Sequence, residues 1–63
     1  MKLDKFLIEV PCKTKIKLIN NRGNTYYYGL IKHIPDKLKN LYFYKVVDYK
    51  NTGDVICIEI KAS

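Results

Sequence analysis

The chain has 63 residues and a mass of 7.4 kDa, which is room for one domain spanning 1–63 and no second. Its formal charge is +6 and its pI is near 9.4, a balance that concentrates polyanions and also keeps a small protein soluble. A domain of this size buries only about 60% of its unfolded surface, so its core is marginal. No apolar run approaches the ~20 residues of a membrane span. Asp4 and Glu9 interrupt the amino-terminal MKLDKFLIEVP where a secretory signal would carry its apolar stretch, so a cytoplasmic protein is expected.

Residues 3–10 carry two patterns. Phe6, Ile8 and Val10 alternate with Leu7 and Glu9 as a strand would, while Leu3, Phe6, Leu7 and Val10 suit a short amphipathic helix; a strand is expected. Pro11 ends either one. In residues 13–20, Lys13, Lys15 and Lys17 alternate with Thr14, Ile16 and Leu18, a period-two pattern with one wet and one buried face. Asn20-Asn21-Arg22-Gly23-Asn24 reads as a hairpin turn, and residues 25–34 as the returning strand, with Gly29 permitting a bend.

Pro35 cannot join a ladder, so residues 35–40 form a turn, with room for one loose helical turn. Residues 41–49 read as a third strand with Leu41, Phe43 and Val47 inward and Tyr42 and Tyr44 outward; Lys45 breaks the inner pattern and suggests a bulge. Lys50-Asn51-Thr52-Gly53-Asp54 is a second hairpin turn, and residues 55–61 a final strand with Ile56, Ile58 and Ile60 on one face. The fold class expected is all-β in the main. Four to five short antiparallel strands curl into an SH3-like or Sm-like small barrel, which hides its edges.

Catalytic chemistry finds no support in the residues. His33 is the single histidine, and neither a Ser/His/Asp set nor a phosphate-cradling glycine loop is present, so the expectation is a protein that is not an enzyme and takes no cofactor. Cys12 and Cys57 lack metal-ligand spacing and are expected as reduced, packed thiols. Nucleic-acid binding has the better physical case. Tyr27, Tyr42 and Tyr44, if outward, offer flat faces for bases, and Lys13, Lys15, Lys17, Lys32 and Lys45 offer charge for phosphates. The competing reading is that these rings shield cross-strand neighbours and the lysines only solvate a strand face.

The run KIKLINNRG, then YYYGLIK, then Asp36-Lys37-Leu38-Lys39-Asn40-Leu41 resembles the first motif of Sm-like (Lsm and Hfq-type) RNA-binding proteins. The likeness covers about half the chain, residues 15–47. It implies a small barrel, a homo-oligomeric ring built by strand pairing, and a loop asparagine, here Asn40, that reads a base. The position that stacks on that base in the family is held by Leu38, and the Arg-Gly that finishes the family's RNA pocket is absent from VICIEI. With the loop cations Lys37 and Lys39, the candidate nucleic-acid-binding set is Lys13, Lys15, Lys17, Tyr27, Lys32, Lys37, Lys39, Asn40, Tyr42, Tyr44 and Lys45. The partner expected is single-stranded nucleic acid or RNA. The alternative is a protein-interaction module, such as a small phage or mobile-element inhibitor or accessory protein, since Tyr-rich surfaces serve protein interfaces equally well.

Overall fold

The computed structural model describes residues 1–62, which form one helix and four strands: α1 (Leu3–Ile8), β1 (Lys15–Ile19), β2 (Thr25–Leu30), β3 (Lys45–Asn51) and β4 (Val55–Lys61). Two 3-10 segments, Ile31–His33 and Asp36–Phe43, connect β2 to β3. The chain is mainly β, and its strands form one four-stranded sheet in the order β2-β1-β4-β3. That ladder is open, with β2 and β3 as its edges.

The sheet departs from the all-antiparallel expectation at its centre. β1 and β2 are an antiparallel hairpin, as are β3 and β4, but β1 runs parallel to β4 in unbroken register, Ile16 beside Ile56 and Leu18 beside Ile58. Parallel neighbours need a long crossover. It is supplied by Asp36–Phe43, which carries the chain from the end of one edge strand to the start of the other. Both hairpin turns fold as their residues suggest. Asn20 Oδ1 accepts from the Arg22 and Asn24 amides at 2.8 and 3.0 Å, and Gly23 has φ +84°. The Asn51 side chain accepts from the Gly53 amide at 2.9 Å.

The core is a single cluster: Ile16 and Leu18 from β1, Ile58 and Ile60 from β4, Leu3 and Leu7 from α1, and Leu41 from the crossover. All the helical segments therefore cover one face of the sheet, and the other face stays open. The amino-terminal stretch is a helix where a strand was expected. Leu3 and Leu7, four apart, are both buried while Ile8 is 79% exposed, so the helical period won over the alternating one. Six residues are too few for a helix to hold by itself. It is held by the core and by Phe6, whose ring packs on Tyr49 of β3 at 5.0 Å.

The third strand starts at Lys45, four residues later than expected. Residues 36–43 are 3-10 because their apolar side chains recur every third residue: Leu38, Leu41 and then Tyr44 all pack on the core. The amides of Leu38 and Tyr44 donate three residues back, to Pro35 and Leu41, at 2.9 and 3.0 Å. Phe43 falls outside that stripe and is 64% exposed, not inward. The bulge anticipated at Lys45 lies at Val47, skipped between the pairs Val46–Ile60 and Asp48–Glu59 and 51% exposed instead of inward. Cys12 and Cys57 are both free thiols, but only Cys57 is half-buried; Cys12, expected to be packed, is exposed beyond Pro11.

Candidate nucleic-acid interface

The strand register fixes what the open face carries, because residues opposite one another on neighbouring strands share a face. With Ile16, Leu18, Ile58 and Ile60 inward, the residues between them point away from the core. Tyr28, Lys17, Cys57 and Lys50 form one row across all four strands. Leu30, Lys15 and Val55 form the row below it. Above it Asp48 faces Glu59. Beyond these acids lies a row of cations, in which Lys45 pairs with Lys61 on one side and with Lys2 on the other.

That last row is built by the first residues of the chain. The Leu3 amide donates to the Tyr44 carbonyl at 2.9 Å and the Val46 amide to the Met1 carbonyl at 2.7 Å. These two bonds bracket Lys2 and Lys45, which makes them a non-hydrogen-bonded pair with Cα atoms about 4.5 Å apart, the closer of the two antiparallel spacings. Lys45 then turns its own backbone groups toward Lys61, at a spacing of about 5.5 Å. Lys2, Lys45 and Lys61 are all exposed. Beside them lies Phe43, with the Lys2 Nζ 5.8 Å from its ring centroid, a cation–π contact. A cleft lined by Lys45, Val46, Val47, Lys61 and Ala62 indents the surface there.

The candidate residues read from the sequence divide between the two sides of the sheet. Lys15, Lys17 and Lys45 lie on the open face. Lys13 is exposed in the turn before β1, and Lys32 in the 3-10 turn after β2. Lys37, Lys39 and Asn40 are exposed on the crossover, which packs on the covered face, and Lys39 is held by Asp36 at 3.1 Å. Tyr42 and Tyr44 are half-buried against the core rather than outward. Tyr27 is also half-buried, with its hydroxyl donating to the Leu30 carbonyl at 2.7 Å. Its neighbour Tyr28 is 59% exposed on the open face.

On β2 it is thus Tyr28, and not Tyr27, that faces outward. Leu18 opposite Tyr27 and Ile16 opposite Gly29 bring those two inward, and Tyr26 is the residue the register skips. Sequence reasoning also passed over Lys2, Lys61, Lys50, Phe43 and Tyr28. The open face as a whole holds six lysines (Lys2, Lys15, Lys17, Lys45, Lys50, Lys61) against two acids (Asp48, Glu59), with the exposed Tyr28 ring in its middle row and Phe43 beside Lys2 at its border. Such a surface can neutralise a phosphate backbone and stack a small number of bases. Compared with family models, curated proteins and solved structures, the chain matches none of them. Among the described residues, no helix is long and apolar enough to cross a membrane.

Proposed function

We propose that this chain is a non-enzymatic nucleic-acid-binding protein of the cytoplasm, which takes single-stranded nucleic acid or RNA across the open face of its sheet. The observation that carries the reading is the row Lys2–Lys45–Lys61 beside the exposed Phe43 ring. Side chains of like charge placed directly opposite repel one another. A polyanion lying along the row relieves that repulsion, and the ring offers a base somewhere to stack. Lys17, Lys50 and Tyr28 continue the same combination two rows away. A small-barrel curl of the sheet and a ring of subunits, as the Sm-like resemblance implies, form part of this proposal, with the edge of β2 and the part of β3 beyond Val46 available for pairing between copies.

The test is an anisotropy titration of mixed-sequence oligonucleotides at rising salt. Affinity is expected to fall steeply and linearly on a log–log plot, as counterion release requires. No binding at low salt would remove the proposal. Light scattering on the same sample reads the oligomeric state.

A second reading, a small accessory or inhibitor protein that binds another protein, is favoured by a different feature. Between α1 and the 3-10 segments lies an apolar recess of about 250 Å³ lined by Leu7, Ile8, Ile31 and Tyr42, with Asp4 at its side. Ile8 stands 79% exposed at its rim. Ile8→Asp is expected to leave oligonucleotide binding intact and to abolish capture of a protein partner.

A further inference from the structure

Three lysines side by side in register carry more charge than one phosphodiester neutralises. Resting on the nucleic-acid reading above, we infer that the Lys2–Lys45–Lys61 row is a site for a phosphomonoester attached to a nucleoside, the group found at a phosphorylated strand end, with the attached base against Phe43. The register sets the charge density. Lys45 has a lysine opposite it on both sides, at Cα spacings of about 4.5 and 5.5 Å. Among the described residues the one ion pair is Lys39 with Asp36, so none of the three is neutralised by an acid in contact. The nearest acids on that face, Asp48 and Glu59, stand back along the strands, Glu59 two residues from Lys61, a rise of roughly 6.6 Å.

A phosphodiester brings a single negative charge. A phosphomonoester brings about −1.5 to −2 at neutral pH, on three terminal oxygens that accept from three donors at once. The position of the row points the same way. Lys45 and Lys61 are the outermost pair of the β3–β4 ladder, at the end of the sheet rather than across its middle. A strand that continues must leave such a row on both sides; one that terminates there needs a single exit, over Lys50 and Lys17. Phe43 is 64% exposed next to the row, so a terminal base reaches its ring without opening of the core.

The experiment uses the full chain and one short oligonucleotide in three forms: 5′-phosphate, 3′-phosphate and hydroxyl at both ends. Anisotropy is read at one moderate salt concentration, with a nucleoside monophosphate as competitor. One phosphorylated form is expected to bind about tenfold more tightly than the hydroxyl-ended form, the gain from adding charge within a few ångströms of three cations in water. Lys45→Gln is expected to weaken all three forms and to erase the difference between them, whereas Lys17→Gln, two rows away, is expected to weaken all three alike and keep the difference. Competition by the monophosphate at equal concentration supports the site and assigns it to free nucleotides instead of strand ends. Equal affinity for all three ends overturns the inference and leaves the nucleic-acid reading standing. Failure of every form to bind at low salt removes both.

Discussion

The ring of Tyr26 meets that of Tyr44 edge-on, with centroids 6.0 Å apart and planes at 90°, although Tyr26 belongs to one edge strand and Tyr44 leads into the other. Two strands lie between them in the ladder. In a flat sheet those edges would stand roughly 14 Å apart, three strand spacings. The two rings bridge that gap, with Tyr44 also packed against the core. The bulge is what allows it, since Tyr26 is the residue with no partner on β1.

Edge-to-face pairs of this geometry contribute about 0.5–1.5 kcal/mol beyond the area they bury. Tyr26→Ala and Tyr44→Ala are therefore expected to destabilise by less in combination than the sum of the single changes, by about that amount. Urea unfolding of the four proteins in a double-mutant cycle measures it. Strict additivity would place the rings apart in solution.

Gly29 offers a sharper case. Its φ is +151°, and a Cβ built there would lie 2.9 Å from the Tyr27 hydroxyl oxygen and 3.2 Å from the ring carbon that bears it. The Tyr27 ring lies over the glycine and its hydroxyl reaches the Leu30 carbonyl beyond. Gly29→Ala must therefore displace that ring and accept an unfavourable backbone conformation, a loss of about 1–3 kcal/mol. Tyr27→Phe loses the hydrogen bond but removes the nearest clashing atom. In the Tyr27→Phe background the alanine substitution is expected to cost less than in the wild type, as thermal unfolding would report. An equal cost in both would exclude the contact as the cause.

How much of this was legible depends on which period each stretch obeys. β1 was readable because its lysines and aliphatics alternate cleanly, and both hairpin turns because their Asn and Gly residues have a single use. The crossover was not. Leu41 and Phe43 sit two apart, which mimics a strand, while the side chains that reach the core are Leu38, Leu41 and Tyr44, three apart. Only the tertiary core chooses between those periods. The lysine row was harder still, since Lys2, Lys45 and Lys61 lie far apart along the chain and meet only through register. Glu59 and Asp48 likewise become neighbours only once β3 and β4 are paired with Val47 left out.

The three-residue period itself can be tested. Leu41 is 4% exposed and Phe43 64% exposed, so Leu41→Ala is expected to cost about 2–5 kcal/mol and Phe43→Ser well under 1 kcal/mol. Denaturant midpoints with unchanged slope would show it. A larger loss at Phe43 would mean that residues 41–43 are a strand in solution, with Phe43 turned inward.

On the open face, charge and ring make separable contributions. Each lysine that contacts phosphate adds about 0.7 to the salt slope for a single strand, so Lys17→Gln and Lys50→Gln should each lower it by that amount and weaken all sequences alike. Tyr28 lies opposite Lys17 and is exposed. Tyr28→Ala should leave the slope unchanged and weaken binding by about 1–3 kcal/mol, the loss of one stacked base. Tyr27→Ala, one residue away on the covered face, should instead lower stability, with affinity for the fraction that remains folded preserved. Parallel anisotropy and unfolding measurements on these two tyrosine variants decide which face the nucleic acid uses. Affinity lost at Tyr27 but kept at Tyr28 would move the interface off the open face.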